Sequence, residues 1–266
     1  TLRDGEQTSN VSFSASEKLT IARLLIEELK VDRIEVASAR VPDGELKAVR
    51  GIMDWAKNNG HSKKVEILTF VDGGRSIDWM NKSGAKVQNL LTKGSLNHLT
   101  HQLKKKAHEH FQDIEEVIEM AIEEQIETNV YLEDWSNGMR NSPEYVFDFL
   151  DFLKTQKVKR ILLPDTLGIL TPSETREYIT TIRKRYPNLH FDFHAHNDYD
   201  LAIANVLESV KAGIDGLHVT VNGMGERAGN APMASMVAVI KDFLQDVQIN
   251  LCEASIYKVS KLVETF

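Results

Sequence analysis

The feature that most constrains the fold of this chain is a regular alternation of short apolar runs with longer amphipathic stretches. In residues 17–30, Leu19, Ala22, Ile26 and Leu29 recur at the spacing of one helical face. The apolar runs are rich in β-branched residues and predict buried strands. With the opening residues 1–4 as a first strand, the others are residues 32–38, 64–71, 86–93, 127–134, 158–166, 189–196 and 216–223.

Two segments carry helix start signals. Ser14 is followed by Glu17, and Thr171 by Glu174, in the spacing of a capping box. In the second segment Pro172 stands at the first helical position, where a backbone N–H is not needed. Both segments therefore predict helices that begin directly after an N-cap.

Eight strand–helix units in about 250 residues favour a closed parallel barrel over an open doubly wound sheet. A dinucleotide-binding sheet would need a glycine-rich turn after the first strand, and DGEQTSN at residues 4–10 is not such a turn. We predict an α/β fold, a (β/α)8 TIM barrel, with a single catalytic domain at 1–250. Residues 251–266, with a helix at 253–265, would begin a C-terminal helical extension. The abrupt ends of the sequence lead us to expect a chain truncated before a downstream region.

Composition excludes several classes of protein. A net charge of −7 argues against a nucleic-acid binder, which needs a basic face. The single cysteine, Cys252, excludes a disulfide within the chain and fits a reducing, cytoplasmic location. Since no apolar run approaches the roughly 20 residues of a membrane helix, we expect no membrane partner.

Function in a parallel barrel collects at the carboxyl ends of the strands. His194 and His196 are two residues apart on one predicted strand and therefore point the same way, into the barrel mouth, with His190 and Asp192 deeper. Closure would bring Asp4, at the end of the first strand, next to them. The predicted strand ends carry a dense set of polar side chains, among them Arg3, Asp4, Glu133, Thr166, His194 and His196.

Two imidazoles, a carboxylate and an amide oxygen form a mixed nitrogen and oxygen set. Such a set suits a divalent metal ion, Mg²⁺, Mn²⁺, Fe²⁺ or Zn²⁺, with positions open for water or substrate. A structural zinc site would need more thiolates than this chain has. The histidine pair alone is also compatible with a polar strand end; the proximity of Asp4 favours the metal.

Three segments resemble one enzyme family: TLRDGEQ (1–7), FHAHND (193–198) and VNGMGERAGN (221–230). They resemble the metal-dependent Claisen-condensing and aldol-cleaving barrels, which include 2-isopropylmalate synthase, homocitrate synthase, citramalate synthase and hydroxymethylglutaryl-CoA lyase. The resemblance covers essentially the whole chain. It implies an acyltransferase in branched-chain (leucine/isoleucine) amino-acid biosynthesis, with acetyl-CoA as co-substrate, a 2-oxo acid as acceptor and a homodimer as the assembly.

The resemblance also implies roles for individual residues. The metal ligands would be Asp4, His194, His196 and Asn230, and Arg3 would stabilise the oxygen of the keto acid or enolate.

Two further side chains at predicted strand ends are candidates for the chemistry. Glu133 is placed to assist proton transfer or to order the site. Thr166 could donate a hydrogen bond to the substrate carboxylate.

Local sequence separates the branches of the family. The glycine loop NGMGERAGN lacks the cysteine of the lyases, and TLRDGEQ differs from the TLREGEQ of homocitrate synthases. Residues 31–41, 89–95 and 131–136 resemble the spirochaete-type citramalate synthase. That resemblance implies an apolar acceptor pocket, which Tyr131 would narrow to favour the methyl group of pyruvate. The residues of this pocket would be Leu68, Phe70, Leu91 and Tyr131.

Three alternatives remain open. The chain could be a 2-isopropylmalate synthase that uses 3-methyl-2-oxobutanoate, or a metal-dependent lyase or aldolase. It could also be a non-catalytic truncated homologue, because family synthases carry further catalytic groups beyond the barrel. Under any of these alternatives, Leu68, Phe70 and Leu91 could simply be packed core residues of the barrel.

Overall fold

The computed structural model describes residues 1–39 and 43–266. Seven parallel strands form one sheet in sequential order, and the sheet curls into a half-barrel. The strands are β1 (Ile34–Ser38), β2 (Val65–Phe70), β3 (Val87–Lys93), β4 (Glu127–Glu133), β5 (Ile161–Asp165), β6 (Phe191–Ala195) and β7 (Gly216–His218). The predicted barrel architecture is confirmed in this order of parallel strands with helices between them. Of the segment 31–41, residues 40 and 41 lie outside the described residues.

Helices follow the strands along the chain and cover the outside of the sheet. The α-helices are α1 (Ala15–Arg23), α2 (Asp43–Asn58), α3 (Arg75–Ser83), α4 (Leu96–His98), α5 (Ala107–Glu123), α6 (Trp135–Asn141), α7 (Pro143–Thr155), α8 (Pro172–Arg185), α9 (Ala202–Lys211), α10 (Met233–Phe243) and α11 (Ile256–Thr265). Short π-helical segments continue α1 and α4, at Leu24–Glu28 and Leu99–Leu103. Within the described ranges, no helix has both the length and the apolar composition needed to cross a bilayer.

Both predicted capping boxes are confirmed. The Ser14 hydroxyl accepts from the backbone N–H of Glu17, while the Glu17 carboxylate accepts from the backbone N–H of Ser14. Helix α1 begins at Ala15, directly after this N-cap. Thr171 and Glu174 make the same reciprocal pair at the start of α8, with a proline at the first helical position. Local sequence therefore determined where these two helices start.

The predicted first strand is wrong. Residues 1–4 lie beside β1 and near the end of β7, but in the described part of the chain they make no strand pairing. Side chains make the connection instead: Val221 N–H donates to Thr1 Oγ1 at 2.9 Å, and Arg3 Nε donates to Glu35 at 2.5 Å. A 3-10 turn at Gly5–Gln7 bends the backbone out of an extended path at once.

The predicted strand at 216–223 is also shorter than expected. It ends at His218, and Val221–Gly223 form a 3-10 turn in which Asn222 has a φ of 56°. The glycine loop then folds back, because Asn230 N–H donates to the carbonyl of Gly223 at 2.9 Å. This return brings Asn230 into an antiparallel bridge with His196.

The C-terminal residues pack on the barrel. Val259 and Val263 of α11 are buried within the main hydrophobic core, and Cys252 N–H donates to the carbonyl of Leu29 at 2.8 Å. The helix begins at Ile256, three residues after the predicted start. The domain boundary at residue 250 stays a prediction.

The floor of the barrel, at the amino-terminal side of the candidate site, is ionic. Arg160 donates to Glu66 and, at 2.6 Å, to Asp192. Glu66 accepts from Asn89 at 3.0 Å, and the same amide nitrogen donates to Glu35 at 2.7 Å. Asp192 also accepts from His218 at 3.1 Å and His190 at 2.8 Å. We call the connected set the interior belt; its members are Glu35, Glu66, Asn89, Arg160, Asp192 and His218.

The belt keeps one carboxylate firmly ionised. Burial alone would raise the pKa of Asp192. Hydrogen bonds from His190 and His218 and the charge of Arg160 outweigh that effect and hold the pKa well below its ordinary range. Because these charges lie away from water, each of them depends on its partners.

We expect Arg160→Met to destabilise the protein by about 3–5 kcal/mol, because it leaves Glu66 and Asp192 buried without their main cationic partner. The matched control is Arg140→Met. Arg140 also makes a close pair, with Glu174 at 2.6 Å, but at the surface, so its loss should cost below about 1 kcal/mol. Urea unfolding measures both, and equal costs would contradict the role of the belt.

A second prediction concerns His110 of α5, which is 1% exposed and accepts from the backbone of Lys93 at 3.2 Å. Burial lowers the pKa of His110 from 6.5 to about 4. Between these values the unfolded chain takes up a proton that the folded state does not bind, so stability falls as the pH falls. We expect His110→Gln to make the free energy of unfolding depend less on pH. Between pH 7 and pH 4 the variant should lose up to about 3 kcal/mol less stability than the wild type. If the free energy of unfolding, measured by urea at each pH, falls equally in both proteins over that range, His110 is not the source of the pH dependence.

Candidate active site

Three buried side chains meet at the carboxyl end of β6. His194 Nε2 lies 3.3 Å from Asp4 Oδ2, and His196 Nε2 lies 4.0 Å from the same oxygen. The two Nε2 atoms are 3.2 Å apart. The ligand atoms of the three residues all lie within 4.8 Å of one another, so the group could hold a metal ion. The structure thus brings together residues separated by about 190 positions in sequence.

Asn230 completes the arrangement from the glycine loop. Its Nδ2 donates to the carbonyl of Met224 at 2.9 Å, which orients Oδ1 the other way. Neither Asn230 Oδ1 nor Asp4 Oδ1, both buried, has a hydrogen-bond partner among the described residues. Buried oxygens without partners are costly, and a cation would satisfy both. The residues present therefore fit a divalent ion.

The protonation of the cluster also suits a cation. Burial would raise the pKa of Asp4, but its hydrogen bond to His194 and the charge of Arg3 hold that pKa far below its usual range. Burial lowers the pKa of His194, and it lowers that of His196 to about 3. One carboxylate and two neutral imidazoles are the forms that coordinate a metal.

Arg3 stands next to this cluster in a fixed orientation. Its guanidinium lies 3.5 Å from Asp4 Oδ2, and its Nε donates to Glu35. Glu35 accepts in turn from Asn89, which ties Arg3 to the interior belt. Burial would lower the pKa of Arg3, but Glu35 and Asp4 raise it above its already high value. The site therefore holds a permanent positive charge beside the Asp4 carboxylate.

The predicted acceptor pocket is an apolar cluster around Tyr131. Leu68, Tyr131 and Leu162 are buried together, with Phe70 and Leu91 packed against them. The ring of Tyr131 stands edge-on to His194, with centroids 6.1 Å apart. A cavity of about 370 Å³ is lined by Arg3, Asp4, Tyr131, His194 and His218, and it extends to the gap between β1 and β7. Leu68, Phe70 and Leu91 do not line this cavity.

Glu133 and Thr166 lie at the ends of β4 and β5. Glu133 pairs with Lys93, the residue opposite it on β3. The hydroxyl of Thr166 accepts from the backbone N–H of Asp134 at 2.9 Å, so its own hydrogen is free to donate. Among the described residues, neither side chain makes a hydrogen bond or an ion pair with Asp4 or the two histidines. Their catalytic and substrate-binding roles stay predictions.

Sequence reasoning missed the residues that orient the site, above all Glu35 and His218. A signal for Glu35 existed: a charged residue in the apolar strand IEVAS is unusual unless it has a partner inside. His218 was predicted only to be a satisfied interior group. That interpretation is confirmed, because both ring nitrogens have partners, Tyr131 and Asp192.

Comparisons with known proteins bear on the family and on the fold. The family model described as HMGL-like matches residues 1–263. A protein named putative (R)-citramalate synthase CimA, from Methanopyrus kandleri, is 33% identical over 265 residues, which cover 99% of this chain and 50% of that protein. A probable 2-isopropylmalate synthase from Ignicoccus hospitalis is 32% identical over 263 residues, with 99% and 63% covered. The chain spans about half the length of the first of these relatives.

Solved structures share the fold. Hydroxymethylglutaryl-CoA lyase from Pseudomonas aeruginosa superposes with a TM-score of 0.83 at 18% identity, covering 99% of this chain and 90% of that one. The carboxyl transferase domain of pyruvate carboxylase from Rhizobium etli gives a TM-score of 0.75 at 16% identity, with 99% and 46% covered. At these identities the likeness concerns the fold alone.

The glycine loop yields a test of the candidate metal centre. A Cβ added to Gly225 would lie 2.1 Å from Asn230 Nδ2 and 3.2 Å from Asp4 Oδ1. We expect Gly225→Ala to displace the Asn230 amide and weaken Mn²⁺ binding about 10–100-fold in calorimetry.

Gly51→Ala in α2 is the matched control. A Cβ there meets nothing within 4 Å, so Mn²⁺ affinity should stay unchanged. Wild-type affinity in Gly225→Ala would show that the position of Asn230 does not matter for the metal.

Proposed function

This chain belongs to the HMGL-like family, and we propose that it is a metal-dependent acyltransferase that condenses acetyl-CoA with a short 2-oxo acid. The observation that carries the proposal is the cluster of Asp4, His194, His196 and Asn230 directly beside Arg3. Such a set can hold a divalent ion and place a fixed positive charge next to it. The names of the sequence relatives, citramalate synthase and 2-isopropylmalate synthase, support this class of reaction.

The residues divide the chemistry among them. Asp4, His194, His196 and Asn230 would hold the ion, which when bound supplies Lewis-acid polarisation of a keto oxygen. The guanidinium of Arg3 would stabilise the negative charge that develops on that oxygen. Glu35 keeps Arg3 in place and so pre-organises this charge before the acceptor arrives.

In the reaction, a base removes a proton from the methyl carbon of acetyl-CoA, and that carbon then forms a bond with the keto carbon of the acceptor. The former keto oxygen takes up a proton, and hydrolysis of the thioester by water releases the coenzyme A thiol. We assign Glu133, which lies at the end of β4 with its carboxylate paired to Lys93, to proton transfer or to ordering the site. We assign Thr166 to the acceptor carboxylate, because its hydroxyl hydrogen is free to donate.

For the acceptor we favour pyruvate. Tyr131 stands beside His194 within an apolar cluster. On this proposal its bulk would leave room for a methyl group and oppose an isopropyl group. This makes the chain citramalate synthase-like, with Leu68, Phe70 and Leu91 as further pocket residues. The proposal also includes the cytoplasm as the location, a homodimer as the assembly and branched-chain amino-acid biosynthesis as the process.

A second candidate is 2-isopropylmalate synthesis from 3-methyl-2-oxobutanoate, which the name of the relative from Ignicoccus hospitalis supports. Cleavage is disfavoured, because the glycine loop between Asn222 and Asn230 contains no cysteine.

Protein expressed from the complete gene tests the proposal. We expect thiol release from acetyl-CoA, followed with a chromogenic reagent, to require both an acceptor and a divalent metal, and to stop with a chelator. The kcat/KM for pyruvate should exceed that for 3-methyl-2-oxobutanoate by at least about tenfold. Preference for the branched acid would overturn the pocket argument, and no metal-dependent release would overturn the synthase.

A further inference from the structure

Tyr131 ends in a hydroxyl that is buried beneath the candidate active site. Tyr131 is 3% exposed, and its hydroxyl lies 2.8 Å from His218 Nδ1. Among the described residues, the hydroxyl makes no other hydrogen bond. A buried hydroxyl that loses its partner loses one or more kcal/mol, so the bond is a strong restraint on the ring.

His218 is itself held on its other side. Its Nε2 lies 3.1 Å from Asp192 Oδ2, and Arg160 donates to that same oxygen at 2.6 Å. A carboxylate only accepts hydrogen bonds, so a neutral His218 donates from Nε2 and must accept at Nδ1. With this tautomer the Tyr131 hydroxyl is the donor, and rotation of the imidazole would break both bonds.

The position of His218 along the barrel follows from strand pairing. His218 lies opposite His194 in the register of β6 and β7. The rings of both histidines stand edge-on to Tyr131, with centroids 6.1 Å away for His194 and 5.7 Å for His218. One strand pair thus sets the place of a candidate metal ligand and of the Tyr131 ring.

We propose that His218 is a positioning residue that fixes Tyr131 through this hydrogen bond and thereby determines the size of the acceptor side chain that the site takes. The inference rests on the proposed function. If this hydrogen bond is lost, the hydroxyl is buried without a partner and the Tyr131 ring shifts to satisfy it. The shifted ring then no longer excludes a branched acceptor side chain.

The experiment compares kcat/KM for pyruvate and for 3-methyl-2-oxobutanoate in the full protein with metal bound. Tyr131→Phe removes the hydroxyl but keeps the ring, and His218→Leu removes the acceptor. The selectivity ratio is kcat/KM for pyruvate divided by kcat/KM for 3-methyl-2-oxobutanoate. We expect each variant to lower this ratio about three- to tenfold, which corresponds to the loss of one hydrogen bond. The double variant should lower it no further than either single change, because both remove the same interaction.

Two variants separate positioning from general damage to the belt. His190→Leu removes the other imidazole from Asp192, at 2.8 Å, but His190 has no bond to Tyr131, so the ratio should stay within about twofold of wild type. His218→Asn places an amide oxygen near the position of Nδ1 and should restore most of the selectivity. An unchanged ratio in Tyr131→Phe, additive losses in the double variant, or an equal loss in His190→Leu would each overturn the inference.

Failure of the proposed function is distinguishable from failure of this inference. If the wild-type protein shows no metal-dependent condensation with either acceptor, the proposed function fails. The positioning role is then decided by crystal structures of wild type, His218→Asn and His218→Leu. A Tyr131 hydroxyl displaced by about 1 Å or more in His218→Leu alone supports it, and an unmoved hydroxyl refutes it. If His218→Leu does not fold, the ratio in Tyr131→Phe decides for an active wild type, and the position of the ring in a crystal structure of Tyr131→Phe decides for an inactive one.

Discussion

Charges buried at the floor of the barrel must be paired, and the rest of the site depends on how they pair. Arg160 joins Glu66 to Asp192, and the belt extends from these residues in two directions. Through Asn89 and Glu35 it reaches Arg3, and through His218 it reaches Tyr131. Since an unpaired buried charge is far costlier than a paired one, these side chains have little freedom to move. Arg3 and Tyr131, which we expect to face the acceptor, are thus both oriented by the interior belt.

The upper part of the site has the opposite character. Asp4 Oδ1 and Asn230 Oδ1 are buried without a partner in the described chain, and so are the Nδ1 atoms of His194 and His196 beside them. The contrast is physically informative, because a cluster of buried polar atoms without partners calls for an explanation, and a bound ion is one that satisfies several of them together. The site therefore combines a rigid, satisfied base with an unsatisfied upper surface, which is the arrangement expected of a pre-organised metal centre.

Sequence reasoning was reliable where the governing physics is local. Alternation along a strand placed His194 and His196 on one face, and capping residues located the starts of α1 and α8. It was wrong for residues 1–4, whose side chains rather than backbone connect them to the sheet, and for the length of β7. The belt was missed because its partners are distant in sequence: Glu66 and Arg160 are 94 positions apart.

The sequence by itself determined the succession of strands and helices and which side chains face the interior, because a period of two along a strand or of 3.6 along a helix depends only on neighbouring residues. It also carried the family motifs. Only the tertiary structure decided which inward side chains meet. That outcome depends on strand register and on the curvature of the sheet, which bring His218 to Tyr131, a pairing that was not predicted. They also bring Asp4 to His194 and Asn230 to His196, which we expected only from barrel closure and from the family resemblance. These pairings arise from the packing of the whole barrel, and no local pattern encodes them.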